Sequence, residues 1–194
     1  MLILASGSPR RAELLKQLQV PFRQLPMDVD ESMLKNEDPR DYVVRLARKK
    51  AEAGRQRGGH IDPVLGADTL VVCKNRLLGK PVNEDDFKKM FALLSGATHQ
   101  VMTAVALYTD HGLQHRLVIT EVSFKVLSDK EIDWYWQTGE PNDKAGGYGI
   151  QGLAGQFVTH IKGSYSAVVG LPLYETAQLL AQVGLPSTIN KGLI

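Results

Sequence analysis

The chain has 194 residues, 43% of them hydrophobic, with 23 Lys and Arg against 21 Asp and Glu for a net charge of +2. That length is enough for a real core in one large domain or two joined lobes, and so weak and evenly spread a charge excludes a basic stripe for nucleic acid. A single cysteine, Cys73, excludes a disulfide framework. No apolar run approaches the ~20 residues that cross a bilayer, and no basic leader opens the chain, so no membrane partner and a cytoplasmic setting are expected.

The first unit reads as a strand over Leu2–Ala5, a Ser6-Gly7-Ser8 turn, and a helix from Pro9 to about Leu18 with Ala12, Leu14, Leu15 and Leu18 as its apolar stripe. Pro9 suits the first helical position and Ser8 the cap. Arg10 and Arg11 oppose the helix macrodipole there, at a cost of roughly a few tenths of a kcal/mol each. Backbone N–H groups, the hydroxyls of Ser6 and Ser8 and two arginines converge on one spot, which predicts a polyanion site, in particular a triphosphate.

Val20–Leu25 reads as a second strand, followed by an acidic loop, Asp28-Val29-Asp30-Glu31. Asp38-Pro39 starts a helix expected to reach Ala53 and stop at Gly54. Its buried face is Val43, Leu46, Ala47 and Ala51, and Lys50 falls inside that face. Lys50 either snorkels to the rim or reaches inward as a phosphate ligand, whereas Arg45, Arg48 and Lys49 read as solvated charges. Gly54 to His60 reads as a surface loop. Pro63–Cys73 is the most apolar stretch, a buried strand with Asp68 in its middle. An aspartate is expensive to bury unpaired, so it caps a bulge at Gly66 or, the better reading, serves as metal ligand or general base.

Lys74-Asn75 turns the chain into Arg76–Pro81, where Lys80 lies in solvent or reaches the same anion. Asn83 caps a helix with Phe87, Met90, Phe91 and Leu94 as its stripe. Two long strands follow, Thr98–Tyr108 and Leu113–Val126, then a capping box at Ser128–Glu131 opens a helix to Thr138. Trp134, Tyr135 and Trp136 cannot all face one core. The glycine-dense Pro141–Gly155 reads as a ligand-enclosing loop rather than a core element. Gln156–Ile161 and Ser166–Val169 read as a hairpin turned at Lys162-Gly163, and a last helix runs to about Val183 before an unstructured tail.

Five scattered histidines lack zinc spacing, Cys73 lacks an activating neighbour, and neither a Gly-x-Ser-x-Gly elbow, a P-loop nor a Rossmann fingerprint is present. The cations Arg10, Arg11, Lys50 and Lys80 and the carboxylates Glu31 and Asp68 are what remain, the equipment of metal-assisted phosphoanhydride hydrolysis.

These pieces resemble the Maf family of nucleoside triphosphate pyrophosphatases. The matching segments are Leu4–Arg11, Val29–Glu31, Ala47–Ala51, Gly66–Thr69, Gly79–Pro81, Asp143–Gly152 and Val169–Pro172. The resemblance implies an α/β fold over residues 1–194, an elongated mixed β-sheet flanked by helices, with two lobes, a central cleft and a homodimeric state. It implies cleavage between the α and β phosphates with a divalent cation, Mg or Mn, held by Glu31 and Asp68. Asp68 matches the proton acceptor, and Ser8, Arg11, Glu31, Lys50 and Lys80 match the phosphate and metal neighbourhood. One branch of the family acts on dTTP and UTP and carries the pattern found at Arg11, Thr69 and Gln151, whereas the 7-methyl-GTP branch differs at each segment. A glutamine amide matches the N3–H and O4 of uracil or thymine, so Gln151 is expected to read the base. A modified nucleotide as substrate, or a nucleotide-binding regulator of cell division without turnover, stays open at this point.

Overall fold

Leu2-Ile3-Leu4 is wholly apolar, as befits a parallel strand covered on both faces, and all three residues are fully buried as β1 (Leu2–Leu4). The computed structural model describes residues 1–58 and 62–185. β1 lies parallel to both β2 (Phe22–Gln24) and β3 (Val64–Cys73), with Leu2 opposite Phe22 and Ile3 opposite Val64. The crossovers between these strands carry α1 (Pro9–Gln17) and α2 (Pro39–Gly58). β4 (Arg76–Leu78) returns antiparallel to β3 through Lys74-Asn75, both at positive φ. Then follow α3 (Glu84–Leu94), β5 (Thr98–Thr109), β6 (Gly112–Phe124) and α4 (Asp129–Gln137). After three short 3₁₀ turns come β7 (Val158–Lys162), α5 (Tyr165–Val169) and α6 (Leu173–Ala181). Among the described residues the result is an α/β fold on a mixed seven-stranded sheet of order β2-β1-β3-β5-β6-β7, with β4 on β3.

The chain divides into two compact units. The first comprises Met1–Asp68, Thr103–Val118 and the chain from Gly170. Here α2 buries Val43, Leu46, Ala47 and Ala51, the stripe its periodicity predicts. The helix does not stop at Gly54, and the expected surface loop from Gly54 is helical to Gly58. A Cβ at Gly54 would stand 2.6 Å from Val64 Cγ1 and 3.0 Å from the Ala5 Cβ, so this glycine lets the helix press onto the strands. Arg55, next to it, is buried, donates to the Asp62 carbonyl at 2.8 Å and pairs with Asp110. His60, the end of the expected loop, lies outside the described residues, as does the tail from Pro186.

The second unit comprises Thr69–Met102 and Ile119–Val169. Its core is aromatic: Phe87, Phe91, Phe124, Tyr135, Tyr148 and Phe157 pack together, with Phe87 and Phe91 ring centroids 4.2 Å apart. Each ring taken fully from water contributes about 2–3 kcal/mol. Asn83 caps α3 by accepting from the Asp86 N–H at 2.9 Å, and the Ser128–Glu131 capping box forms as the sequence predicts. Of the three adjacent aromatics on α4, Tyr135 is fully buried, Trp136 lies 5.1 Å from the Phe87 ring, and Trp134 is 43% exposed.

Two structural expectations fail in this unit: that the glycine-dense segment builds no core, and that Ser166–Val169 is a strand. The glycine-dense segment and the residues that follow it do build core, because Tyr148, Ala154 and Phe157 are buried among the aromatics while the glycines let the backbone fold tightly around them. Ser166–Val169 is helical, as α5, rather than the second arm of a hairpin. Gly163 at φ +134° breaks the strand, and the Ser164 hydroxyl accepts from the Ala167 N–H at 3.2 Å, which caps a helix instead. Among the described residues no helix is long and apolar enough to cross a membrane.

Candidate active site

The turn after β1 forms as a capped helix start. Ser8 Oγ accepts from the Arg11 N–H at 3.5 Å, and Ser6 Oγ accepts from the Ser8 N–H at 3.2 Å. Ser6 is buried and Ser8 half-buried. The Arg11 side chain folds back over this turn, with Nε donating to the Gly170 carbonyl at 2.8 Å and one terminal nitrogen to Ser6 Oγ at 3.4 Å. Burial pulls its guanidinium below the ordinary arginine value, and Asp68 pulls the other way. Arg10 lies beside it, half-buried, and also tends to lower Arg11.

Lys50 does not snorkel to the rim. It is 8% exposed, and its ammonium sits 2.7 Å from Asp68 Oδ1 and 2.6 Å from Glu31 Oε1. α2 supplies the lysine, β3 the aspartate and the loop after β2 the glutamate. Asp68 is also 8% exposed, and burial pushes its carboxyl up, against the pull of Lys50 and Arg11. A raised carboxyl is a better proton acceptor near neutrality than an ordinary aspartate. Gly66 makes the arrangement possible: a Cβ there would lie 2.3 Å from the Ala47 carbonyl oxygen and 2.6 Å from the Ala51 nitrogen. It is the close approach of α2 to β3, and not a bulge capped by Asp68, that explains this glycine.

Sequence reasoning missed the groups that hold the Glu31 loop. The Tyr42 hydroxyl donates to the Glu31 carbonyl at 2.8 Å. Arg45, expected to be a solvated charge, forks onto Glu37 at 2.5 and 2.7 Å and donates to the Ser32 carbonyl at 3.0 Å. That bond holds the Glu37 carboxyl down at about 2. Tyr42 and Arg45 stand three apart on one helix face, the only signal in the sequence that they act together.

In the first unit, then, Ser6, Ser8, Arg10, Arg11, Glu31, Lys50 and Asp68 are brought together. The second unit carries the others. Thr69 is half-buried on β3. Lys80 is exposed just past β4, next to Gly79, whose carbonyl accepts from the Gly146 N–H at 2.9 Å. Gln151 is exposed in the glycine-dense segment.

The donor set suits a hard divalent ion. Glu31 and Asp68 offer carboxylate oxygens, and both converge on the single positive charge of Lys50, which shows that the pair can face one cation. Among the described residues no group of three His, Cys, Asp or Glu forms a metal cage, so such an ion would need oxygens from elsewhere, as a phosphate supplies.

An α/β protein in which a buried lysine meets a buried aspartate and an exposed glutamate, with an arginine-bearing strand-to-helix turn in the same unit, offers the charges that a phosphate group and its counter-ion use. The chain belongs to the Maf family, whose model, described as Maf-like protein, matches residues 1–183. It is 62% identical to the dTTP/UTP pyrophosphatase of Pseudoalteromonas translucida over 91% of this chain and 94% of that one. It is 57% identical to the dTTP/UTP pyrophosphatase of Pseudoalteromonas atlantica over 95% and 98%. A solved nucleoside-triphosphatase / dITP/XTP pyrophosphatase from Mycobacterium abscessus is similar at a TM-score of 0.43 and 16% identity, covering 63% of this chain and 73% of that one, a likeness too slight to bear on the fold.

Proposed function

We propose that this chain hydrolyses dTTP and UTP to the monophosphate and pyrophosphate. The observation that carries the chemistry is the buried Lys50 ammonium between Asp68 and Glu31, in the same unit as the arginine-bearing turn. Relatives more than half identical over nearly their full length supply the substrate class.

Asp68 orients a water and takes its proton as the oxygen attacks the α phosphorus. The bond from that phosphorus to the bridging oxygen breaks, and pyrophosphate leaves with the bond electrons. Arg11 and the Ser6–Ser8 turn hold phosphate oxygens by charge-assisted hydrogen bonds. Lys50 and Lys80 offset the charge that grows on the leaving group. Glu31 and Asp68 are the residues that would hold a Mg or Mn ion, which when bound supplies Lewis-acid polarisation of phosphate oxygens. Gln151 reads the base, its C=O accepting from N3–H and its NH₂ donating to O4. Thr69 and Arg10 complete the substrate-binding set.

Pyrophosphate release from dTTP, UTP, CTP, ATP, GTP and 7-methyl-GTP, with and without divalent metal, tests the reading. Turnover of dTTP and UTP about 100-fold above the purine nucleotides is expected where the Gln151 amide pairs with a pyrimidine edge and leaves a purine's donors unmet. Preference for a methylated purine, or nucleotide binding without pyrophosphate release, refutes it. Gln151→Glu should reverse the order toward GTP, since guanine offers two adjacent donors. An unchanged dTTP-to-GTP ratio in that variant removes Gln151 from the base site.

A further inference from the structure

Gln151 makes no hydrogen bond with the described residues through its side chain, yet the backbone on both sides of it is tied down. Two residues before it, the Gly149 N–H donates to the Tyr135 hydroxyl at 3.3 Å. Two residues after it, the Leu153 N–H donates to Glu140 Oε2 at 2.9 Å, and the Ala154 N–H to Oε1 at 3.4 Å. The two anchors are one device, because the Tyr135 hydroxyl itself donates to Glu140 Oε1 at 2.8 Å. Tyr135 is fully buried, and Glu140 is fixed in turn by its own N–H on Thr138 Oγ1 at 3.2 Å and by Lys144 Nζ on its carbonyl at 2.6 Å. Gly152 closes the turn onto the Gly149 carbonyl at 3.0 Å, and a Cβ there would stand 2.4 Å from the Glu140 carboxylate.

We infer that Glu140, held by Tyr135, is a positioning residue that fixes where Gln151 presents its amide, and thereby a determinant of pyrimidine selectivity. The inference rests on the reading that Gln151 meets the base. Glu140 receives three donors, and only a carboxylate is acceptor at every lone pair; an amide in its place turns an NH₂ against an N–H. The loss acts on the turn and not on the core, since the Tyr135 ring stays packed against Phe91 and Phe157 whatever Glu140 becomes.

The experiment compares wild type, Glu140→Gln and Tyr135→Phe by amide hydrogen exchange over residues 149–154 and by kcat and KM for dTTP, UTP and GTP. Both variants should exchange faster at Gly149, Leu153 and Ala154. KM for dTTP and UTP should rise about tenfold, with kcat moving less and GTP unaffected, so that the preference narrows by the same factor. An unchanged preference, or a KM rise equal for all three nucleotides, overturns the positioning role. Tyr135→Phe keeps the buried ring and decides the matter if Glu140→Gln does not fold. A wild type without pyrimidine preference refutes the base reading instead, and exchange still reports on the clamp: unchanged rates in the variants overturn it.

Discussion

His99 links the acidity of the solution to the stability of the second unit. It is 2% exposed, Nε2 lies 2.7 Å from the Tyr148 hydroxyl, and the ring stands edge-on to Phe124 with centroids 5.1 Å apart. Nδ1 is buried with no partner among the described residues, so a second ring proton would have no acceptor. Burial accordingly lowers the imidazole from 6.5 to about 4. The unfolded chain binds this proton below pH 6.5 while the native one refuses it until about pH 4, so stability is lost as pH falls through that window. At 1.36 kcal/mol per unit the loss is about 3 kcal/mol between pH 7 and pH 4. Denaturant unfolding of wild type and His99→Gln at half-unit pH steps isolates it, since glutamine stays neutral and still reaches Tyr148. The gap between the two proteins should shrink by about 3 kcal/mol on acidification, with most of the change below pH 6. A gap independent of pH refutes the reasoning.

Asp68→Asn should lower pyrophosphate release by about 10²–10⁴-fold while nucleotide still binds, measured by calorimetry beside turnover; full activity removes Asp68 as the base. Lys50→Met leaves two carboxylates without their shared cation, one of them buried, and should cost about 3–5 kcal/mol in denaturant unfolding; a neutral effect shows the pair to be dispensable to the fold. Gly66→Ala should destabilise by about 1–3 kcal/mol and weaken turnover together, because the added methyl forces α2, and Lys50 with it, away from Asp68. Lost stability with full turnover shows that the site tolerates the shift.

Local signals settled most of the elements. Ser8-Pro9, Asn83 and the Ser128–Glu131 box started their helices where the chain starts them, because a cap satisfies N–H groups within its own turn. The anomaly of a charge on an apolar face, at Lys50 and at Asp68, was visible as well, and the two turn out to explain each other. What a local pattern does not contain is the partner. Gly54 has the sequence of a helix stop and is a contact surface for Val64, and Arg45 has the sequence of a solvated charge and grips Glu37. The glycine-dense segment shows the same limit, since Tyr148 and Phe157 find their core only when α3, α4 and β6 are assembled. The chain by itself determined where charges and hydroxyls stand out of pattern, at the Ser6–Arg11 turn, Lys50 and Asp68, because residue types are written there. Only the tertiary structure decided which carboxylate meets which cation, and that Glu140 reaches across to the backbone around Gln151, because those contacts join residues far apart in sequence and are fixed by packing.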